Sequence, residues 1–173
     1  MVRLVRMGEE HIDRTCNWLA QSAALRAQID SLDVPTLDGN RRYWQQKLQD
    51  QSREDYAILA DAARHVGNCG LVAIDPRRQK AELWIYLGET YGKGVGGAAL
   101  HLLLNRAFDE LKLHRVYIRV VATNPRALAF YLRAGFKVEG QARGDTIQDG
   151  KRLDATLLSI LSNEYRPRQD RNS

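Results

Sequence analysis

Four glycines fall within the six residues of Gly92–Gly97, directly before a stretch with helical spacing. Glycine lets successive backbone N–H groups converge, because it adopts left-handed conformations without steric cost. The amino end of a helix adds N–H groups without intrahelical partners, together with the positive end of the helix dipole. The segment therefore predicts an anion site that suits a phosphate or pyrophosphate, rather than a glycine-rich turn without a ligand.

Two familiar phosphate motifs do not fit this segment. Gly92, Gly94 and Gly97 have the spacing G-x-G-x-x-G of dinucleotide-binding folds, but that motif requires an acidic residue at the end of the following strand. Here the strand ends Val120-Val121-Ala122-Thr123, without an acid. A P-loop requires Ser or Thr after Gly-Lys, and Lys93 is followed by Gly94.

A second motif begins one strand later. It combines an asparagine with small, aromatic and glycine positions at fixed spacing: Asn124-x-Arg126-Ala127-x-x-Phe130-Tyr131-x-x-x-Gly135-Phe136. Together with Gly92-Lys-Gly94-Val-Gly96, it resembles the acetyl-CoA-binding core of the GCN5-related N-acetyltransferases, the GNAT superfamily. The resemblance extends from about Tyr56 to Leu161. It is nearest to the branch of ribosomal-protein, spermidine and amino-sugar acetyltransferases. One departure is Tyr91, where the family usually has Gln or Arg.

The resemblance implies a GNAT-like α/β fold with a mainly antiparallel sheet flanked by helices, as a single domain over residues 1–165 with a polar tail at 166–173. It implies direct transfer of acetyl from acetyl-CoA to a primary amine, in a ternary complex without an acyl-enzyme. Backbone amides near Ile85–Leu87 would polarise the thioester carbonyl, where the strand of Glu82 separates from Arg115–Ala122. The implied cofactor-binding residues are Ile85, Leu87, Gly92, Lys93, Gly94, Val95, Gly96, Gly97, Ala98, Asn124, Ala127 and Tyr131.

Two side chains are candidates for proton transfer. A phenol can protonate the CoA thiolate as it leaves, and Tyr131 matches the family's tyrosine in that role. An amine with a pKa of ~10 must lose a proton before it attacks a thioester, so a base is needed. Glu82 lies where similar enzymes often place this base, although a solvated strand glutamate is the structural alternative. Asp75, Glu89 and Asp154 remain possible bases.

The sequence indicates the class of the acceptor amine less directly than it indicates the cofactor. An amino sugar is the first expectation, a polyamine the second and a protein N-terminus the third. A CoA-binding module without catalysis is an alternative function, and a nucleotide-binding oxidoreductase is disfavoured by the missing acid. The candidate acceptor-binding residues lie in the N-terminal helices, on the strand of Glu82 and in the last hairpin: Trp18, Arg26, Tyr43, Trp44, Trp84, Arg143 and Arg152.

Alternating and helical patterns predict the elements that position these residues. Strands are predicted at Val2–Met7, Tyr56–Ala60, Gly70–Ile74, Ala81–Leu87, Arg115–Ala122, Lys137–Ile147 and Lys151–Leu161. Helices are predicted around Ile12–Ala23, around Tyr43–Leu48, over Leu100–Leu111, and between an Asn124 cap and Gly135. Asp149-Gly150 is a favoured two-residue hairpin turn.

The composition of the chain limits its cellular location, its metal sites and its partners. The chain has 173 residues, 44% of them hydrophobic, and a formal net charge of +5. No apolar run is long enough for a membrane span and no signal peptide is evident, so we expect a cytoplasmic protein. Two cysteines form no disulfide framework, and four histidines have no metal-ligand spacing. We expect acetyl-CoA and a small amine as partners, without nucleic acid or membrane, and leave a homodimer open.

Overall fold

The computed structural model describes residues 1–28, 33–89, 94–148 and 150–166. Seven strands form one sheet: β1 (Arg3–Arg6), β2 (Glu54–Ala60), β3 (Arg64–Asp75), β4 (Lys80–Leu87), β5 (Arg115–Val121), β6 (Lys137–Gln148) and β7 (Lys151–Leu161). Five helices accompany it: α1 (Ile12–Gln21), α2 (Ala23–Gln28), α3 (Leu37–Lys47), α4 (Val95–Asn105) and α5 (Pro125–Arg133).

The sheet has the order β1-β2-β3-β4-β5-β7-β6. Five neighbouring pairs are antiparallel, and β4 with β5 is the parallel pair. Helix α4 forms the crossover between these two strands, because a parallel connection must return the chain to the same edge. The predicted mixed α/β fold with a mainly antiparallel sheet is confirmed.

Each face of β4 carries a different kind of side chain, as the alternation in its sequence predicts. Leu83 is buried in the main core with Leu100, Leu103 and Leu104 of α4. On the opposite face, Trp84 packs against two smaller clusters that belong to the N-terminal helices. Helices α4 and α5 therefore cover one face of β4, and α1 and α3 cover the other.

The ends of α5 follow from its flanking residues. The Asn124 side chain accepts a hydrogen bond from the Ala127 amide at 3.0 Å, and Pro125 occupies the first turn. Gly135 has φ +96°, which suits the residue after a helix. Helix α4 continues into a wider π-helical turn at Arg106–Glu110, where the Leu111 amide donates to the Arg106 carbonyl. This π-helical turn lies within the predicted Leu100–Leu111 helix.

Two predicted elements differ from the structure. The single helix predicted up to Ala23 is interrupted at Ser22, whose extended backbone ends α1 and whose hydroxyl accepts from the Leu25 amide of α2. Strand β3 begins at Arg64, whereas the sequence predicts a strand only from Gly70. Its first half is rich in residues with low strand propensity, and its pairing with β2 and β4 on both sides overrides that propensity.

Some predictions fall outside the described residues. These are the first part of the glycine segment, Asp149 of the hairpin turn, and the tail beyond Arg166. Gly150 of that turn is described and has φ +74°. No helix in the described ranges is long and apolar enough to cross a membrane.

Candidate active site

The parallel strands β4 and β5 separate soon after they meet. Their register comprises Lys80 with Arg115, Ala81 with Val116, and Glu82 with Tyr117. Beyond Glu82, β4 remains paired with β3 up to Leu87 but has no register partner on β5. A cleft therefore opens along β4 between Glu82 and Leu87, as predicted. Backbone groups of β4 on that side are available to a ligand, because no strand satisfies them.

One wall of this cleft is the start of α4. Gly94 is the N-cap residue and has φ +73°, a conformation that favours glycine. A Cβ at Gly96 would contact Leu87 of β4 at 3.7 Å and Phe130 of α5 at 3.9 Å, which are ordinary van der Waals distances. The first turn of α4 is thus packed between the predicted thioester strand and the predicted tyrosine helix.

The glycines at this helix start leave room for a bound group. A Cβ built on Gly94 or on Gly97 meets no described atom within 4 Å. The amides of Val95, Gly96 and Gly97 lie in the first helical turn, where the helix itself supplies no acceptor. Space that no described atom fills, beside donors that the helix itself does not pair, fits the pyrophosphate of CoA.

Five of the predicted cofactor-binding residues are engaged within the chain or lie outside the described residues. The Ala98 amide donates to the Gly94 carbonyl at 2.9 Å, and a contact of Ala98 with the cofactor stays a prediction. The Ala127 amide donates to Asn124 Oδ1 at 3.0 Å, and the Asn124 backbone amide donates to the Val121 carbonyl, so a cofactor contact of either residue stays a prediction. Gly92 and Lys93 lie outside the described residues.

Tyr131 is 4% exposed and lies between Phe130 and Phe136. Its hydroxyl has no hydrogen-bond partner in the described part of the chain, yet it is not fully enclosed. Burial raises the pKa of this phenol, so it carries its proton at neutral pH. A protonated phenol with an unused O–H can act as a proton donor.

Glu82 lies on the opposite face of β4, at the last residue pair before the strands separate. Its carboxylate is 3.5 Å from Arg119 Nε, and Arg119 also donates to Asp145 on β6 at 2.5 Å. The Glu82 side chain is 27% exposed, so an amine in the cleft can reach it. Arg119 and Asp145 were missed in the sequence; the alternation of Arg115, Tyr117 and Arg119 on β5 is the available signal for Arg119.

The other possible bases are engaged elsewhere. Asp75 accepts two hydrogen bonds from Arg78 in the turn before β4, which lower the pKa of its carboxyl. Glu89 forms ion pairs with Arg14 and Arg64. Asp154 accepts a hydrogen bond from the Gly144 amide at 2.8 Å. Glu82 is the candidate base because it lies at the last residue pair before β4 and β5 separate, although it too has an ionic partner in Arg119.

The predicted acceptor residues divide into buried and exposed sets. Trp18 and Trp44 are 8% and 4% exposed and belong to the packed clusters. Trp18 also explains Gly88, because a Cβ there would lie 1.9 Å from its ring. Arg26 donates to the Leu19 and Ala20 carbonyls at the end of α1. These three residues hold the N-terminal helices together.

The remaining acceptor candidates are accessible or border the cleft. Tyr43 is 47% exposed, and Arg143 and Arg152 lie exposed on the last hairpin. Trp84 is half-buried and stacks on Tyr86 of the same strand, with ring centroids 5.8 Å apart. Its Nε1 is fully buried without a hydrogen-bond partner among the described residues. Trp84 is therefore the predicted acceptor residue that lies on the cleft strand itself.

A polar network that the sequence does not reveal supports this face. Asn68 of β3 is fully buried and donates to the Thr15 hydroxyl at 2.9 Å and to the Tyr86 hydroxyl at 2.8 Å. Its carbonyl lies 2.8 Å from His65 Nε2, which must be the donor because that oxygen can only accept. Burial lowers the pKa of His65, which keeps the ring neutral. The network fixes α1 and β4 relative to each other.

No group of three or more His, Cys, Asp or Glu side chains in the described ranges is placed to hold a metal ion. Cys16 and Cys69 are free and buried, and burial raises the pKa of both thiols. A buried neutral thiol is a poor nucleophile. The described site therefore offers proton donors and acceptors together with a backbone anion site.

Comparison with known proteins supplies independent findings. The family model described as "Acetyltransferase (GNAT) domain" matches residues 2–137. The chain is 30% identical over 126 residues to YdaF of Bacillus subtilis (strain 168), provisionally named a ribosomal N-acetyltransferase. That match covers 70% of this chain and 67% of that protein. This chain is also 29% identical over 119 residues to the spermidine N(1)-acetyltransferase of Escherichia coli (strain K12). That match covers 68% of this chain and 63% of the E. coli protein.

A solved structure has the same fold. The spermidine N-acetyltransferase from Vibrio cholerae, in complex with CoA and spermine, superposes with a TM-score of 0.88 at 21% identity. The superposition covers 95% of this chain and 97% of that chain. The matched segments thus span about two thirds of the two curated relatives by sequence, and nearly the whole of this neighbour by structure.

Proposed function

The chain belongs to the GNAT acetyltransferase family, and from this premise we propose how its cleft transfers acetyl to a small primary amine. The family match confirms the predicted GNAT superfamily. It also confirms the predicted enzyme class, an N-acetyltransferase that uses acetyl-CoA as its cosubstrate. The separation of β4 from β5 after Glu82 carries the proposal, because it places an anion-binding helix start and a carboxylate at one opening.

Bound acetyl-CoA supplies the thioester carbon that the amine attacks. The amides of Val95, Gly96 and Gly97 hold the pyrophosphate, and backbone amides of Ile85–Leu87 polarise the acetyl carbonyl. The new C–N bond forms as the C–S bond breaks. The surplus amine proton goes to Glu82, directly or through water, and the Tyr131 proton goes to the departing sulfur.

Transfer is direct, without an acyl-enzyme. Both cysteines are buried as neutral thiols, at 3% and 0% exposure, which excludes them as acetyl carriers. Free cysteines also suit a reducing compartment, so we retain the cytoplasm as the site of action.

Two acceptor classes have support. Similarity to spermidine acetyltransferases favours a polyamine. Against it, carboxylates on β4 and just after it are paired with arginines: Glu82 with Arg119, and Glu89 with Arg14 and Arg64. A polycation needs carboxylates without such competitors. We therefore propose an amine with one positive charge, such as an amino sugar, and keep the polyamine as the second candidate.

A panel of amines tests the proposal. The panel contains glucosamine, spermidine, 1,4-diaminobutane, several amino acids and a short peptide, each incubated with protein and acetyl-CoA. Release of free CoA thiol and a product heavier by one acetyl group are the expected readouts. If Tyr131→Phe releases thiol at the same rate as the parent, the reaction does not take place at this site. Bound CoA without thiol release from any amine would instead indicate a CoA-binding module.

A further inference from the structure

Arg119 stands between two carboxylates at the point where the cleft opens. Its Nη1 donates to Asp145 of β6 at 2.5 Å, whereas its Nε lies 3.5 Å from Glu82 of β4. The guanidinium is 45% exposed, and the two carboxylates are 22% and 27% exposed. Asp145 therefore anchors Arg119 by a charge-assisted hydrogen bond, and Glu82 is held only by a looser ionic contact.

The position of Arg119 brings it into competition with an acceptor. It follows Tyr117, the last β5 residue paired with β4, by two positions and shares its face of the strand. The guanidinium thus occupies the side of Glu82 that faces the opening. An ammonium that approaches Glu82 for deprotonation meets this positive charge at the same carboxylate.

We propose that Arg119 is a positioning residue. In the free enzyme its guanidinium contacts the Glu82 carboxylate, and its hydrogen bond to Asp145 keeps that contact weak. The inference rests on the proposed function, in which Glu82 receives the amine. The acceptor ammonium replaces the loose Nε contact, while the short bond to Asp145 keeps Arg119 inside the cluster. An acceptor with a second positive charge near the first is disfavoured, since the guanidinium remains close by.

Two single variants are expected to act in opposite directions. Arg119→Gln removes the competing cation, so the KM for the amine falls about two- to fivefold, the range for an exposed ion pair. Asp145→Asn releases Arg119 towards Glu82, so the KM for the amine rises by about the same factor. The KM for acetyl-CoA stays unchanged in both. Loss of a purely structural salt bridge would instead move both variants in one direction.

The double variant of Arg119→Gln and Asp145→Asn shows whether Asp145 acts on the amine through Arg119 or directly through its own charge. If Asp145 acts through Arg119, Asp145→Asn has no further effect in the Arg119→Gln background. If the two charges act independently on the amine, their effects multiply. Arg115→Gln is the matched control: it removes the same charge from the same strand face, but Arg115 pairs with Glu139. Its amine KM is expected to stay within twofold of the parent.

Measurements use the best amine of the panel above, with glucosamine and 1,4-diaminobutane as probes of one and two charges. Arg119→Gln is expected to improve the diamine more than the amino sugar. A rise of the amine KM in Arg119→Gln, or a full effect of Asp145→Asn in the double variant, would overturn the inference. The proposed function fails separately, if the parent acetylates no amine; an unchanged rate in Glu82→Gln would remove Glu82 as the base and overturn the inference about Arg119, but not acetyl transfer itself.

Discussion

The cleft has a cofactor side, which faces acetyl-CoA, and an acceptor side, which faces the amine. The two sides differ in how their residues are brought together. On the cofactor side, the start of α4 and Tyr131 come from one continuous stretch, described from Gly94 to Phe136, and pack on a core to which other strands also contribute. On the acceptor side, Glu82, Arg119 and Asp145 come from three strands and meet through charges alone. Backbone donors bind the constant part of a cosubstrate, whereas exposed charge pairs can change without disturbing the fold.

This contrast assigns separate tasks to the two sides. Substitutions on the cofactor side should affect binding of acetyl-CoA or the chemical step for every acceptor. Substitutions on the acceptor side should change which amine is used and how its rate depends on pH.

Tyr131→Phe should cause the largest loss. The phenol proton is needed only as charge develops on sulfur, so kcat is expected to fall about 10²- to 10³-fold for all acceptors. Affinity for CoA, measured by calorimetry, should remain nearly intact. Because the hydroxyl has no described hydrogen-bond partner, stability should change little.

Tyr165→Phe is the matched control for that experiment. Tyr165 is a second buried tyrosine of the same core, but its hydroxyl donates to Asn105 at 2.7 Å, away from the cleft. Its loss should cost about 1 kcal/mol of stability and leave kcat unchanged. An unchanged kcat in Tyr131→Phe, with chemistry shown to limit the rate, would remove Tyr131 from the mechanism.

Glu82→Gln tests the acceptor side. The variant keeps the size of the side chain but cannot accept a proton, so the rate at neutral pH should fall about 10²-fold. Rising pH deprotonates the free amine, and part of the rate should return. This recovery should be larger for a polyamine, which is mostly protonated near neutrality, than for an amino sugar, whose amine is more acidic. A pH–rate profile that overlays the parent would return Glu82 to a structural role.

The difference between the two sides also explains which features the sequence predicts. The Asn124 cap, Gly135 at the end of α5 and the alternation along β4 depend on neighbours within a few residues, and the structure confirms them. The separation of the strands was inferred through family resemblance, and the register confirms it. Such features are local, or repeat throughout a family, so a single sequence contains them.

The acceptor side depends on contacts that no local pattern encodes. Arg119 and Asp145 are 26 residues apart, and Asn68 and Thr15 are 53 apart. Trp18 and Trp44 look like binding aromatics in the sequence, and only the packing of α1 and α3 shows that they are core residues. The start of β3 is hidden for the same reason, since burial between two strands determines it.

Gly94 allows a smaller and finer test of the cofactor side, because its backbone conformation and its missing side chain can be separated. Its φ of +73° strains any L-residue, and a Cβ there would meet no described protein atom. Gly94→Ala therefore adds backbone strain as well as bulk, whereas Gly94→Asn adds bulk with less strain, because asparagine tolerates the left-handed region.

If the open space at Gly94 is where the pyrophosphate lies, both variants should weaken CoA binding by at least ~1 kcal/mol, the scale of one lost buried hydrogen bond. Stability should fall more in Gly94→Ala than in Gly94→Asn, because only alanine carries the full strain. Gly140→Ala is the control, since a Cβ there also meets no described atom within 4 Å and Gly140 lies on β6, outside this helix start. Calorimetry should find its CoA affinity within twofold of the parent. Undiminished affinity in both Gly94 variants would move the pyrophosphate away from this helix start, and the cofactor side would then need another anion site.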